Sequence, residues 1–254
     1  MSDVRISRDG HVGIAEICRP PNNYFDVTLI GELATALEAF DADHAVRAVV
    51  LASEGKNFCA GADFASPARR TMGERGGGSL YREAVRLFHC TKPVIAAVQG
   101  AAVGGGLGLS LVADFRVAAP GSRFAANFSR LGIHAGFGLS VTLPRVIGGQ
   151  ATALMFYTGR RLSGEDARAI GLVDVLAPEG EVRAAALALA TEIAQSSPIA
   201  VMSMRATLRR GLADAVAAAT DHELDEQERQ LQTEDFKEGV KAMAERRLPR
   251  FVGR

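Results

Sequence analysis

Two loops rich in small residues carry the chemistry that this sequence suggests. They are Gly55-Lys-Asn-Phe-Cys-Ala-Gly-Ala-Asp63 and Gly100-Ala-Ala-Val-Gly-Gly-Gly106, and each follows an apolar run that reads as a buried strand. Small residues let backbone amides approach a ligand closely. If the two loops lie side by side, one N–H from each converges on a single oxygen, and the second loop opens a helix whose dipole favours negative charge there. Such a pair would form an oxyanion hole. The competing reading is structural, with glycines that merely permit tight turns and strand–helix packing.

Other chemistries lack their signatures. The chain contains no G-x-x-x-x-G-K-[ST] and no H-E-x-x-H, and its five histidines show no ligand spacing with Cys18, Cys59 and Cys90. No metal site is expected. Gly104-Gly105-Gly106-Leu107-Gly108-Leu109 fails the dinucleotide fingerprint at its last place, and no acidic residue follows at the required distance. Lys plus Arg (29) equals Asp plus Glu (29), so the basic excess that nucleic-acid binding draws on is missing. Three cysteines at wide spacing suit a reducing compartment, and the polar start carries no apolar signal segment, so a cytoplasmic protein is expected.

The elements that must position the loops follow from hydrophobic period and turn residues. With 254 residues, 48% of them hydrophobic, the chain can bury a large core. Val4–Ser7 and His11–Ile17 flank Arg8-Asp9-Gly10 and predict a hairpin. Leu29, Leu33, Leu37 and Phe40 recur at helical spacing. Short apolar strands are expected at Ala48–Ala52, Pro93–Val98 and Phe115–Ala118, with helices around Leu80–Phe88 and after Gly106. The uncharged stretch Val94–Ala113 is long enough to span a bilayer, but its glycines and β-like start predict strand, loop and buried helix instead. This alternation argues an α/β architecture with functional groups on loops beyond the strand ends. Met72–Gly78 reads as a surface loop, either a linker or a lid. From Val182 onward four helices are expected (182–195, 198–210, 212–231 and 234–246). Their Leu208, Leu212, Val216, Leu224 and Leu231 would suit subunit association, and the acidic stretch Asp221–Glu228 reads as a solvated face.

Six segments in order resemble the crotonase, or enoyl-CoA hydratase/isomerase, superfamily. Phe58-Cys-Ala-Gly-Ala-Asp63 is similar to its F-x-A-G-A-D segment, Lys92–Gly100 to its K-P-[VI]-I-A-A-[VI]-x-G strand, and Gly104-Gly-Gly106 to its triple-glycine loop. Ala113–Ala118, Leu162–Val173, and Asp235–Gly239 with Glu245–Pro249 also match. The resemblance implies a crotonase (ClpP-like) fold of repeated ββα spiral turns over residues 1–196. It also implies a helical region, 197–254, that builds a homotrimer or hexamer. The implied ligand is an acyl-CoA thioester, with coenzyme A as part of the substrate and no separate cofactor. By position, the carbonyl is polarised by the amides of Ala62 and Gly105, with Ala60, Asp63, Phe64, Gly104, Gly108 and Phe128 around the substrate.

Against the family pattern, two positions depart. Hydratases place one glutamate where this chain has Gly108, and the second, within F-x-x-P-E-x-x-x-G, where Phe124-Ala-Ala-Asn-Phe128-Ser-Arg-Leu-Gly132 puts Phe128. Hydration needs one group to activate water and one to deliver a proton, and neither residue can do so. Isomerisation or another enolate reaction is expected instead, and a protein that binds acyl-CoA without catalysis is the alternative. A replacement base is sought in His134, which titrates near neutrality; its other reading is a loop residue that is simply hydrogen-bonded. Arg19, with Arg69 or Arg70, is a candidate for the CoA phosphates.

Overall fold

In the computed structural model, residues 2–63 and 77–254 are described. The expected hairpin forms from β1 (Val4–Asp9) and β2 (Val12–Ile17), paired antiparallel across a Gly10-His11 turn. Helix α1 (Val27–Ala42) begins at Asp26, whose side chain accepts from Leu29 N at 2.9 Å, and buries Leu29, Leu33, Leu37 and Phe40 along one stripe. Strand β3 (Ala48–Ser53), helix α2 (Gly77–Phe88) and strand β4 (Val94–Val98) follow. Gly77 and Gly78 thus belong to α2, and the remainder of the predicted surface loop, with Phe64, Arg69 and Arg70, lies outside the described residues.

Next come β5 (Ala101–Val103), α3 (Gly105–Ser110), β6 (Phe115–Ala118), β7 (Arg123–Ala125) and the single turn α4 (Phe128–Leu131). Helix α5 (Leu139–Thr158), broken at Gly148, leads through β8 (Arg161–Ser163) and α6 (Gly164–Ala169) to β9 (Val175–Leu176). Four helices close the chain: α7 (Val182–Ala194), α8 (Pro198–Leu208), α9 (Leu212–Gln230) and α10 (Glu234–Ala244).

The main sheet runs β1-β2-β3-β4-β6-β9 and is parallel from β2 onward. Parallel strands covered on both faces must be apolar throughout, which is why β3 and β4 read as unbroken apolar runs. Val49, Leu51, Val94 and Ala96 point into the larger core with α1 and α2; Val50, Ala52, Ile95 and Ala97 point the other way, onto Ala186 and Ala190 of α7. A second sheet, β5-β7-β8, consists of three-residue strands that the hydrophobic pattern did not announce. It delivers the site: β5 ends at Val103, just before Gly104, β7 ends two residues before Asn127, and β8 begins at Arg161.

Among the described residues no single helix is long and apolar enough to cross a membrane. The Val94–Ala113 stretch is β4, β5 and α3. The terminal helices join the core: α9 packs on α2 and α5, and α10 on α4. Leu212 and Val216, expected to face a neighbouring subunit, are therefore buried inside this chain, with Leu224 and Leu231 packed against the same cluster. Leu208 remains exposed. Asp221–Glu228 is likewise not a wholly solvated face, because Glu223 and Gln227 are fully buried.

Candidate active site

The two small-residue loops lie side by side, stitched by backbone hydrogen bonds. Phe58 N donates to Gln99 O (2.8 Å), Cys59 N to Ala101 O (2.9 Å), and Val103 N to Cys59 O (3.1 Å). Two residues beyond Cys59, Gly61 approaches so closely that a Cβ there would stand 2.8 Å from Val103 O and 3.5 Å from Gly105 N. Ala62 and Gly105 are thereby brought together.

Peptide planarity then fixes where their amides point. Across a trans peptide the C=O and the following N–H are directed oppositely. Gly61 O accepts from Phe25 N at 3.0 Å, so Ala62 N–H is turned away from Phe25 N. Gly104 O accepts from Leu107 N (3.0 Å) and Gly108 N (3.2 Å) inside α3, so Gly105 N–H is turned out of the helix. Among the described residues neither amide meets an acceptor, whereas Gly104 N is engaged by Ala125 O at 2.8 Å. Gly105 also has no room for a side chain, since a Cβ would overlap Phe25 Cζ.

Both amides border a cavity of about 250 Å³. Of the residues predicted from sequence, Ala60, Ala62, Asp63, Gly104, Gly105 and Phe128 line it together. Three do not. Gly108 sits inside α3 behind Phe137, whose Cβ lies 2.8 Å from where a Gly108 Cβ would stand. Arg19 is taken up by Asp3 (2.6 Å) and Asp26 (2.7 Å), two carboxylates that neutralise the charge a CoA phosphate would need.

His134 is the third, and its expected role as base requires correction. Its backbone N–H donates to the Gln230 side chain, its C=O accepts from Gln227 Nε2, and its ring lies edge-on to His222 at 5.7 Å. Nδ1 pairs with Ala135 O at 2.7 Å. The loop turns His134 toward α9 and gives the cavity Gly136 and Phe137 instead. The hydrogen-bonded reading of His134 is the one that fits.

Several lining residues were not anticipated, among them Tyr24, Phe25, Tyr81, Phe137, Arg161 and Met243. The one sequence cue was Phe137, set between two glycines in Gly136-Phe-Gly138. Burial and the neighbouring Glu223 charge push the Tyr81 phenol strongly up, so it stays protonated and donates to Gln227 Oε1 at 2.6 Å. Burial, then the nearby Asp63 carboxylate, raises Tyr24. Cys59 is no nucleophile, because complete burial pushes its thiol up to about 12. Asp63 is the sole carboxylate among the described lining residues, and it directly follows Ala62.

Comparison with known proteins covers nearly the whole chain. The family model for enoyl-CoA hydratase/isomerase matches residues 8–254. A putative enoyl-CoA hydratase of Thermus thermophilus is 37% identical over 95% of this chain and 98% of its own length. The 2,3-dehydroadipyl-CoA hydratase of Escherichia coli is 32% identical with 100% of each chain covered. Among solved structures, an enoyl-CoA hydratase/isomerase from Pseudoalteromonas atlantica superposes with a TM-score of 0.88 at 29% identity, covering 98% of this chain and 100% of the other.

Proposed function

Since the chain belongs to the enoyl-CoA hydratase/isomerase family and has its crotonase fold, we propose that it binds an acyl-CoA thioester with the carbonyl oxygen between the amides of Ala62 and Gly105. The observation that carries this reading is the pair of outward-turned amides, free of acceptors among the described residues, at the edge of one cavity. Such donors act on charge as it develops. When the Cα–H bond breaks, its electron pair moves onto the carbonyl, and each amide stabilises the resulting enolate by about 3 kcal/mol.

In this proposal the proton goes to Asp63, the sole carboxylate among the described lining residues and the next residue after Ala62. Hydration is not the reaction proposed, because the two positions that, by resemblance to the family, would activate water and deliver its proton are Gly108 and Phe128. Proton removal and return at a different carbon, an isomerisation, needs only one carboxylate and the two amides. A second reading, acyl-CoA binding without turnover, is favoured by Phe128 at one of those two positions and by Phe137 filling the space beside Gly108, the other.

Deuterium uptake at Cα of butyryl-CoA in D₂O tests this directly. The natural protein should catalyse exchange, and Asp63→Asn should lower the rate roughly 10²- to 10⁴-fold while butyryl-CoA still binds. Binding without exchange would establish the non-catalytic reading, and no binding by folded protein would remove the thioester site altogether.

Around this site we read a homotrimer, or two trimers paired as a hexamer, with α8 as the association face, since Ile199 and Leu208 stand 78% and 76% exposed. Free Cys18, Cys59 and Cys90 support a cytoplasmic setting.

A further inference from the structure

Phe137 adopts a backbone conformation that bulky residues avoid. Its φ is 64°, in the left-handed region, yet its side chain is almost completely buried and lines the cavity. The ring tilts against Phe25 with centroids 5.4 Å apart, and its Cβ and Cδ1 lie 2.8 and 2.9 Å from where a Cβ on Gly108 would stand. Only the missing side chain at 108 leaves room for it.

Something must hold the loop in this conformation, and α9 supplies it. Glu223, Gln227 and Gln230 follow one another at four- and three-residue spacing, which puts them on one helix face. Glu223 accepts from Gly138 N (2.8 Å), Ser140 N (3.0 Å) and Ser140 Oγ (2.6 Å). Gln227 donates to His134 O at 2.9 Å, and Gln230 accepts from His134 N. All of these bonds end on residues 134–140. Glu223 and Gln227 are fully buried polar side chains that need partners, and apart from the Tyr81 hydroxyl on Gln227 the partners they find are on the segment that carries Phe137.

We propose that Phe137 is the specificity-determining residue of this pocket, restricting it to thioesters of short apolar acyl groups, with Glu223 and Gln227 as the positioning residues that hold it. This rests on the acyl-CoA reading above. The cavity, about 250 Å³, is smaller than the roughly 300–1,000 Å³ of sites for drug-sized ligands. An acyl chain reaching past Phe25 toward α3 meets the Phe137 ring where Gly108 would otherwise leave space. Burial of extra methylenes normally favours the longer chain, so a preference for the shorter one reports an obstruction.

Calorimetric titration of the full chain with butyryl-, hexanoyl- and decanoyl-CoA decides the matter. The natural protein should bind butyryl-CoA at least tenfold more tightly than decanoyl-CoA, and Phe137→Ala should reduce that ratio at least tenfold. Glu223→Ala should reduce it too, and Glu223→Gln, which keeps one acceptor oxygen, should recover part of it. Melting curves identify folded variants, and if Phe137→Ala does not fold, Phe137→Leu should lower the ratio about threefold. Equal affinities for all three lengths in the natural protein, or a ratio unchanged in the Phe137 variants, would overturn the proposal and leave the thioester site standing. Failure of the folded natural protein to bind any of them would overturn both.

Discussion

Ala62 and Gly105 face the cavity through peptide N–H groups, whereas Phe128 and Phe137 face it through their rings, and the chain specifies these two parts of one pocket by different means. The amides need only correct loop register and small side chains. Their direction comes from where Gly61 O and Gly104 O are bonded, on Phe25 N and inside α3. The aromatic wall depends on the identity of individual side chains: the Phe128 ring itself, and the missing side chain at Gly108 that leaves room for Phe137.

Disturbing the backbone part should have the largest effect. Gly105→Val drives a Cβ into the Phe25 ring and shifts the amide, so deuterium exchange at the acyl Cα should fall roughly 10²- to 10³-fold, the scale for loss of one oxyanion donor. Ala62→Gly keeps the amide and should change the rate less than threefold. If the two variants behave alike, the amides are not the working groups.

The aromatic part breaks in a coupled way. The natural protein should hydrate crotonyl-CoA very slowly or not at all, and efficient turnover would restore the hydratase reading. Gly108→Glu alone should destabilise the fold by about 1–3 kcal/mol, because its Cβ overpacks against Phe137. Adding Phe137→Gly should recover at least half of that loss in a denaturant titration. Additive costs would mean that the two positions do not share one space. On the outer surface, Leu208→Glu should shift the sedimenting species from trimer or hexamer toward monomer, and a natural protein that sediments as a monomer at micromolar concentration would remove α8 as the association face.

Legibility in the sequence follows the same division. The β1–β2 hairpin, strands β3, β4 and β6 and all four terminal helices stand out by period, because each buries a continuous face or stripe. The sheet β5-β7-β8 does not, since three residues carry no period. Ala62, Gly105, Asp63 and Phe128 were placed by motif and do meet at the cavity. Phe25, Tyr81 and Met243 come from α1's approach, α2 and α10, far apart along the chain and joined only by packing. His134 was drawn in by residue type, but nothing in a sequence tells which way a loop turns its third residue. That direction was set by Gln227 and Gln230, nearly a hundred residues later.

The smallest expected effect concerns the support behind the aromatic wall. Burial raises the Glu223 carboxyl above its ordinary value, against the hydrogen bonds from Ser140 and Gly138 and the charge of His134, which favour the ionised form. A raised value means that the folded chain holds this proton at pH values where the unfolded chain has released it. Stability should therefore decline as pH rises from about 4.3, the unfolded reference, through the raised folded value. Glu223→Gln removes the titration but keeps an acceptor for Ser140 or Gly138. The melting-temperature advantage of the natural protein over this variant should be greatest below that window and shrink by a few degrees across it. An advantage that instead grows with pH would mean that the ionised carboxylate, with its three donors, is the form the fold prefers, and the wall would then rest on a charge rather than on a buried neutral acid.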